Sequence, residues 1–90
     1  MALSVELVSA DRKVWSGEAS IVVARTVEGD LGIMAGHAPV LAVLAPGQIK
    51  IESTSGETVL ADTDGGFLSV EHDRIWLVAD RATVGSGSAR

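Results

Sequence analysis

The amino-acid sequence predicts an all-β fold, a sandwich or a barrel. Short apolar runs recur every eight to twelve residues or so, with glycine, proline or charged turn residues between them. Several runs alternate apolar and polar positions, the period of a strand with one face buried. No stretch of convincing length carries the helical period.

The elements follow in order. Leu3, Val5 and Leu7 alternate with Ser4 and Glu6 and read as a half-buried strand. The polar break SADRK (9–13) leads to Val14 and Trp15, a short run that stops at Ser16-Gly17. ASIVVARTV (19–27) is rich in β-branched residues and reads as a long strand, with EGDLG after it as a turn. Val40 to Leu44 is apolar and ends at Pro46-Gly47, a strong turn dipeptide. Gln48 to Glu52 alternates cleanly, Thr54-Ser55-Gly56 turns the chain, and TVLAD (58–62) returns. Gly65-Gly66 breaks that strand, Phe67, Leu68 and Val70 form the next, and EHDR (71–74) turns into IWLVAD (75–80). Residues 1–82 form one domain on this reading. Residues 83–90, with Gly and Ser and no apolar period, are expected to be a flexible tail.

IWLVAD has apolar residues on both faces: Ile75, Leu77 and Ala79 on one, Trp76 and Val78 on the other. One face belongs to the core, and the other needs a second cover. A neighbouring loop or an interface with another protein would serve.

Composition narrows the function. A chain of 90 residues buries about 60–65% of the surface that it exposes when unfolded, so its core is thin. It has no cysteine, which removes disulfides and thiolate metal sites. Its net charge of −5 and the lack of any Lys/Arg cluster argue against nucleic acid as a partner. The N-terminal stretch reads as neither signal peptide nor membrane span, so membrane association is expected only through a partner.

The chemistry-bearing residues are few. His37 and His72 are the only histidines and have no ligand spacing. Asp62 and Asp64, at i and i+2, suit a weak cation site or equally a solvated strand end, and Asp73 is a further nearby acid. No serine sits in a G-x-S-x-G elbow, and so thin a sandwich has little depth in which to shift a catalytic pKa. The glycines of GDLGIMAG match neither a dinucleotide fingerprint nor a P-loop. These residues describe a non-catalytic module with no implied cofactor or metal. His37 itself reads either as a loop-shaping residue or as a contact.

Four stretches in order resemble one family. EGDLGIMAGHAPVLAVLAPGQIKI (28–51) is similar to the signature of the epsilon subunit of F-type ATP synthases, and VELVSADRKVWSGEA (5–19), DGGFLSV (64–70) and IWLVADRA (75–82) agree with its other segments. The resemblance implies a flattened β-sandwich of about ten short strands. It implies a rotor subunit of the central stalk that links the gamma subunit to the polar loops of the c-ring. Proton flow would thereby be coupled to ATP synthesis in the catalytic alpha/beta hexamer, which the chain would meet only indirectly. By the same resemblance Asp30, His37 and Ala38 lie on the ring-facing loop, and Trp76 and Val78 on an apolar face suited to gamma. The setting implied is the cytoplasmic face of an energy-transducing cell membrane, held peripherally. Longer members continue into a helical hairpin. The resemblance ends near residue 82, so inhibition and nucleotide binding by that hairpin are not expectations here. A free-standing β-sandwich that binds a peptide or small ligand is the alternative.

Overall fold

The computed structural model describes residues 2–10 and 12–86 and contains eight strands among them. They are β1 (Leu3–Ser9), β2 (Arg12–Thr26), β3 (Gly29–Met34), β4 (Val40–Ser53), β5 (Thr58–Thr63), β6 (Gly66–Glu71), β7 (Arg74–Ala79) and β8 (Ala82–Ser86).

β2 and β4 are long because each serves two layers. The first half of β2 pairs with β1, and its second half pairs with β3 and with β4. The first half of β4 pairs with β6, and its second half with β2 and β5. One layer therefore runs β2-β1-β7-β6-β4, and the other β3-β2-β4-β5-β8. Dividing each long strand where it changes layer gives ten segments, the expected flattened sandwich.

The breaks expected at Ser16-Gly17 and Pro46-Gly47 are thus passages within strands. Trp15 and Gly17 sit on the same face of β2, opposite Leu7 and Val5. The indole of Trp15 lies over Gly17, where an added Cβ would stand 2.9 Å from the ring. At the second passage Ala24 pairs with Ile49 and Thr26 with Leu44, so Ala45 to Gln48 bulge opposite Arg25 alone. Pro46 has no N–H to give a ladder, and a bulge is where a strand tolerates that loss.

Two further expectations are corrected. Gly29 to Met34 form a strand, and the turn is confined to Val27 and Glu28. Leu31 and Ile33 face inward there, while Gly29 and Gly32 conceal the alternation. The chain beyond Ala82 continues as β8, with Val84 opposite Ala61 and Thr83 opposite Asp62, rather than as a tail from residue 83. Residues 87–90 lie outside the described residues.

The core is almost wholly aliphatic. Leu3, Leu7, Ile33, Ile49, Leu68 and Leu77 are among its fully buried side chains, contributed by both layers. Each contributes about 1.5–3 kcal/mol by leaving water.

Gly66 is held by backbone on both sides. It has φ 141°, and an added Cβ would run into the Val78 carbonyl oxygen and lie 2.8 Å from the Ala79 Cα. Gly66→Ala is expected to destabilise the fold by about 2–4 kcal/mol. Gly32, whose added Cβ meets nothing within 4 Å, should accept alanine within about 0.5 kcal/mol. Urea unfolding of the two variants followed by tryptophan fluorescence checks the contrast.

Candidate functional site

The outer face of the β7 layer is apolar. Along β7, Ile75, Leu77 and Ala79 are buried, whereas Trp76 is 42% and Val78 44% exposed. Register carries the face across the sheet: Val78 is opposite Phe67, and Phe67 is opposite Val43. Phe67 is 55% exposed, and Leu41, two residues before Val43 on the same face, is 75% exposed. No loop among the described residues covers the strip, so Trp76 and Val78 have their second cover nowhere within them. Leu41, Val43 and Phe67 belong with these two. Their own segments did not single them out, because a lone apolar residue on an outer face has no sequence mark until register places its neighbours.

Only three residues of the chain are aromatic, two tryptophans and one phenylalanine. Trp15 packs against the core, while Phe67 and Trp76 are both on the outer strip. A thin domain that leaves two of three aromatic rings outside has its largest apolar side chains available to a partner.

Leu41 and Val43 also line a cleft of about 340 Å³ between β4 and the β2–β3 turn. Its other walls include Val27, which is 63% exposed, with Glu28 at the turn and Asp30 just inside β3. The turn is stapled by Thr26, whose Oγ1 donates to the Gly29 carbonyl (2.7 Å) and accepts from the Glu28 N–H (3.1 Å). Asp30 pairs across the strands with Arg25, Oδ1 to Nε at 3.4 Å, with both side chains largely exposed. Such a pair contributes little and can be exchanged for another cation.

His37 and Ala38 lie elsewhere. Asp30 lies near the start of β3 and His37 follows its far end, so the two are separated by a strand that rises about 13 Å from Asp30 to Met34. They do not share one loop as expected. The His37 N–H donates to the Met34 carbonyl (3.1 Å), and its Nδ1 is 2.7 Å from the Ala38 carbonyl oxygen. A carbonyl only accepts, so Nδ1 carries the proton there. His37 thus makes local hydrogen bonds within its own turn.

Asp73, which sequence reasoning placed only among candidate acids, fixes this turn from outside. Its Oδ1 accepts the Gly36 N–H at 2.7 Å. His72 and Asp73 have φ 52° and 61°, the left-handed conformation of a tight hairpin between β6 and β7. That conformation aims the carboxylate at Gly36. A contact between residues so far apart in the chain leaves no signal in one sequence.

The surface of this all-β sandwich presents an apolar strip, a cleft with an acidic lip and a pinned turn. The model of the β-sandwich domain of the ATP synthase delta/epsilon chain matches residues 2–85, and the chain belongs to that family. It is 51% identical over 87 residues to an ATP synthase epsilon chain of Micrococcus luteus, covering 97% of this chain and 96% of that one. It is 54% identical over 80 residues to that of Streptomyces avermitilis, covering 89% of this chain and 64% of the relative. Among solved structures, one chain of the Euglena gracilis mitochondrial ATP synthase (OSCP/F1/c-ring) superposes with a TM-score of 0.87. That pair is 25% identical, over 92% of this chain and 53% of the other.

Replacing Asp73 by Gly keeps the hairpin conformation and removes the acceptor, whereas Asn keeps both. Amide exchange at Gly36 is expected to quicken about fivefold or more in Asp73→Gly and to stay near the parent rate in Asp73→Asn.

Proposed function

We propose that the chain is a non-catalytic subunit of the central stalk of a proton-translocating F-type ATP synthase. It turns with the rotor and links the gamma subunit to the c-ring, so that proton flow drives ATP synthesis in the alpha/beta hexamer. Family membership supports this reading, and one observation of the chain carries it. The exposed strip of Leu41, Val43, Phe67, Trp76 and Val78 has the composition of an interface core.

The strip is the gamma-facing surface. Aromatic side chains dominate the energetics of such interfaces, and two stand here side by side with aliphatic neighbours. Ala38 and Pro39 lead straight into β4 and Leu41, which puts His37 and Ala38 at the border of this strip. The ring-facing contact centres on Asp30, whose carboxylate exchanges Arg25 for a cation of the ring's polar loops. His37 and Ala38 reach the ring only if its contact extends along β3. The chain is held at the cytoplasmic face of the energy-transducing membrane through these partners, as a peripheral subunit.

Binding to purified gamma and c-ring tests the assignment. Phe67→Ala with Trp76→Ala should weaken binding to gamma at least tenfold, while Asp30→Ala should leave gamma binding alone and weaken ring attachment a few-fold, about one exposed ion pair. Unchanged gamma affinity in the double variant would sink the strip as the interface. Failure of the parent chain to bind either subunit would instead favour a free-standing binding module.

A further inference from the structure

The side of the sandwich away from β3 carries a basic groove that the rotor reading leaves unused. There β8 pairs with β5 alone and the first half of β2 with β1 alone, so no ladder closes the two layers. Two open concavities of about 410 and 340 Å³ lie along this seam and share Arg12 and Thr83 among their lining residues. Together they make a trough along β8.

Its charge runs against that of the molecule. The chain carries −5 with seven basic residues, and three of those, Arg12, Lys13 and Arg81, line the trough. Lys13 is tied to Glu6 at 3.8 Å, a loose exposed pair. Arg12 and Arg81 make no ion pair among the described residues. Among the described lining residues Asp80 is the acidic one, and its backbone N–H donates to the Gly65 carbonyl. Val14 and Val84 supply an apolar wall, Val84 being 36% exposed. The outer edge of β8 ends the sheet and presents backbone groups with no strand beyond them among the described residues.

We propose that this seam is a docking groove for an extended acidic segment of a partner protein. An extended chain uses every feature present. Its carboxylates meet Arg12, Lys13 and Arg81, its apolar side chains lie on Val14 and Val84, and its backbone pairs along the free edge of β8. A small anion would use only the two arginines, each exposed and each weak alone. The groove is at the edge of the sandwich opposite β3 and the ring-facing turn. It stands whether or not the apolar strip meets gamma.

The test is an NMR titration of the whole chain at low ionic strength with a short polyglutamate peptide. Amide shifts are expected at Arg12 to Val14 and at Arg81 to Val84, fading as salt is added. Arg12→Ala with Arg81→Ala should weaken binding about tenfold, while Arg74→Ala, an exposed arginine in the β6–β7 hairpin, should leave it unchanged. Thermal melts of the three proteins establish that the substitutions at these exposed positions leave the fold intact. Absence of shifts, or shifts that survive in the double variant, overturns the proposal. Inorganic phosphate shifting the same amides as strongly as the peptide at equal concentration overturns it too, in favour of a small-anion site.

Discussion

The ladder between β2 and β4 is the constraint on which the rest of the sandwich depends. It lies in the middle of one layer, and each of its strands leaves to become an edge of the other. A sandwich whose layers share strands is tied by backbone hydrogen bonds as well as by core packing, which suits a domain with a thin aliphatic core. The bulge of Ala45 to Gln48 is where the ladder adjusts to that double duty. Arg25 stands opposite the bulge, and its side chain passes over Gly47, where an added Cβ would be 3.2 Å from the arginine Cδ. The same arginine meets Asp30. The device that joins the layers therefore also sets the partner of the acid near the start of β3.

Because only these two strands cross, the sandwich stays open along two sides. One opening lies between β4 and the β2–β3 turn, with Glu28 and Asp30 beside exposed Val27 and Leu41. The other lies between β2 and β8, with Arg12, Lys13 and Arg81. A closed barrel would have neither. The topology thus yields two recessed surfaces of opposite charge, and electrostatic complementarity at such surfaces selects partners and their orientation more than it adds affinity.

Much of the fold was legible in the sequence because its strands alternate cleanly. β1, β5, β6 and β7 fall where their periods place them, since Leu3, Val59, Leu68 and Leu77 each face the core in a simple two-residue rhythm. The misses share a physical cause. Glycine or proline reads as punctuation at Gly17, at Gly29 and Gly32, and at Pro46-Gly47, yet each position lies within a strand. Gly17 makes room for the Trp15 ring, and Pro46 sits in a bulge that needs no donor. β8 was missed because a short edge strand of Ala, Thr, Val, Gly and Ser takes its order from β5 rather than from its own period. At the site, Trp76 and Val78 were visible as a strand apolar on both faces. Leu41, Val43, Phe67 and Asp73 were not, because their roles exist only across the sheet or across a turn.

If the strip meets a different protein, as the proposed function requires, something must disfavour its pairing with a second copy of itself. Two copies meeting face to face would bring together two bodies of charge −5. Glu6, loosely paired with Lys13, lies beside Trp76, and Glu71 stands opposite Arg74 in the β6–β7 hairpin, so the margin of the strip is charged. Like charges brought together at the rim oppose the gain from covering the strip. A partner that presents an apolar face with a cationic rim gains on both counts. Under the proposed function the strip would discriminate by its border, with its aromatic centre supplying the affinity.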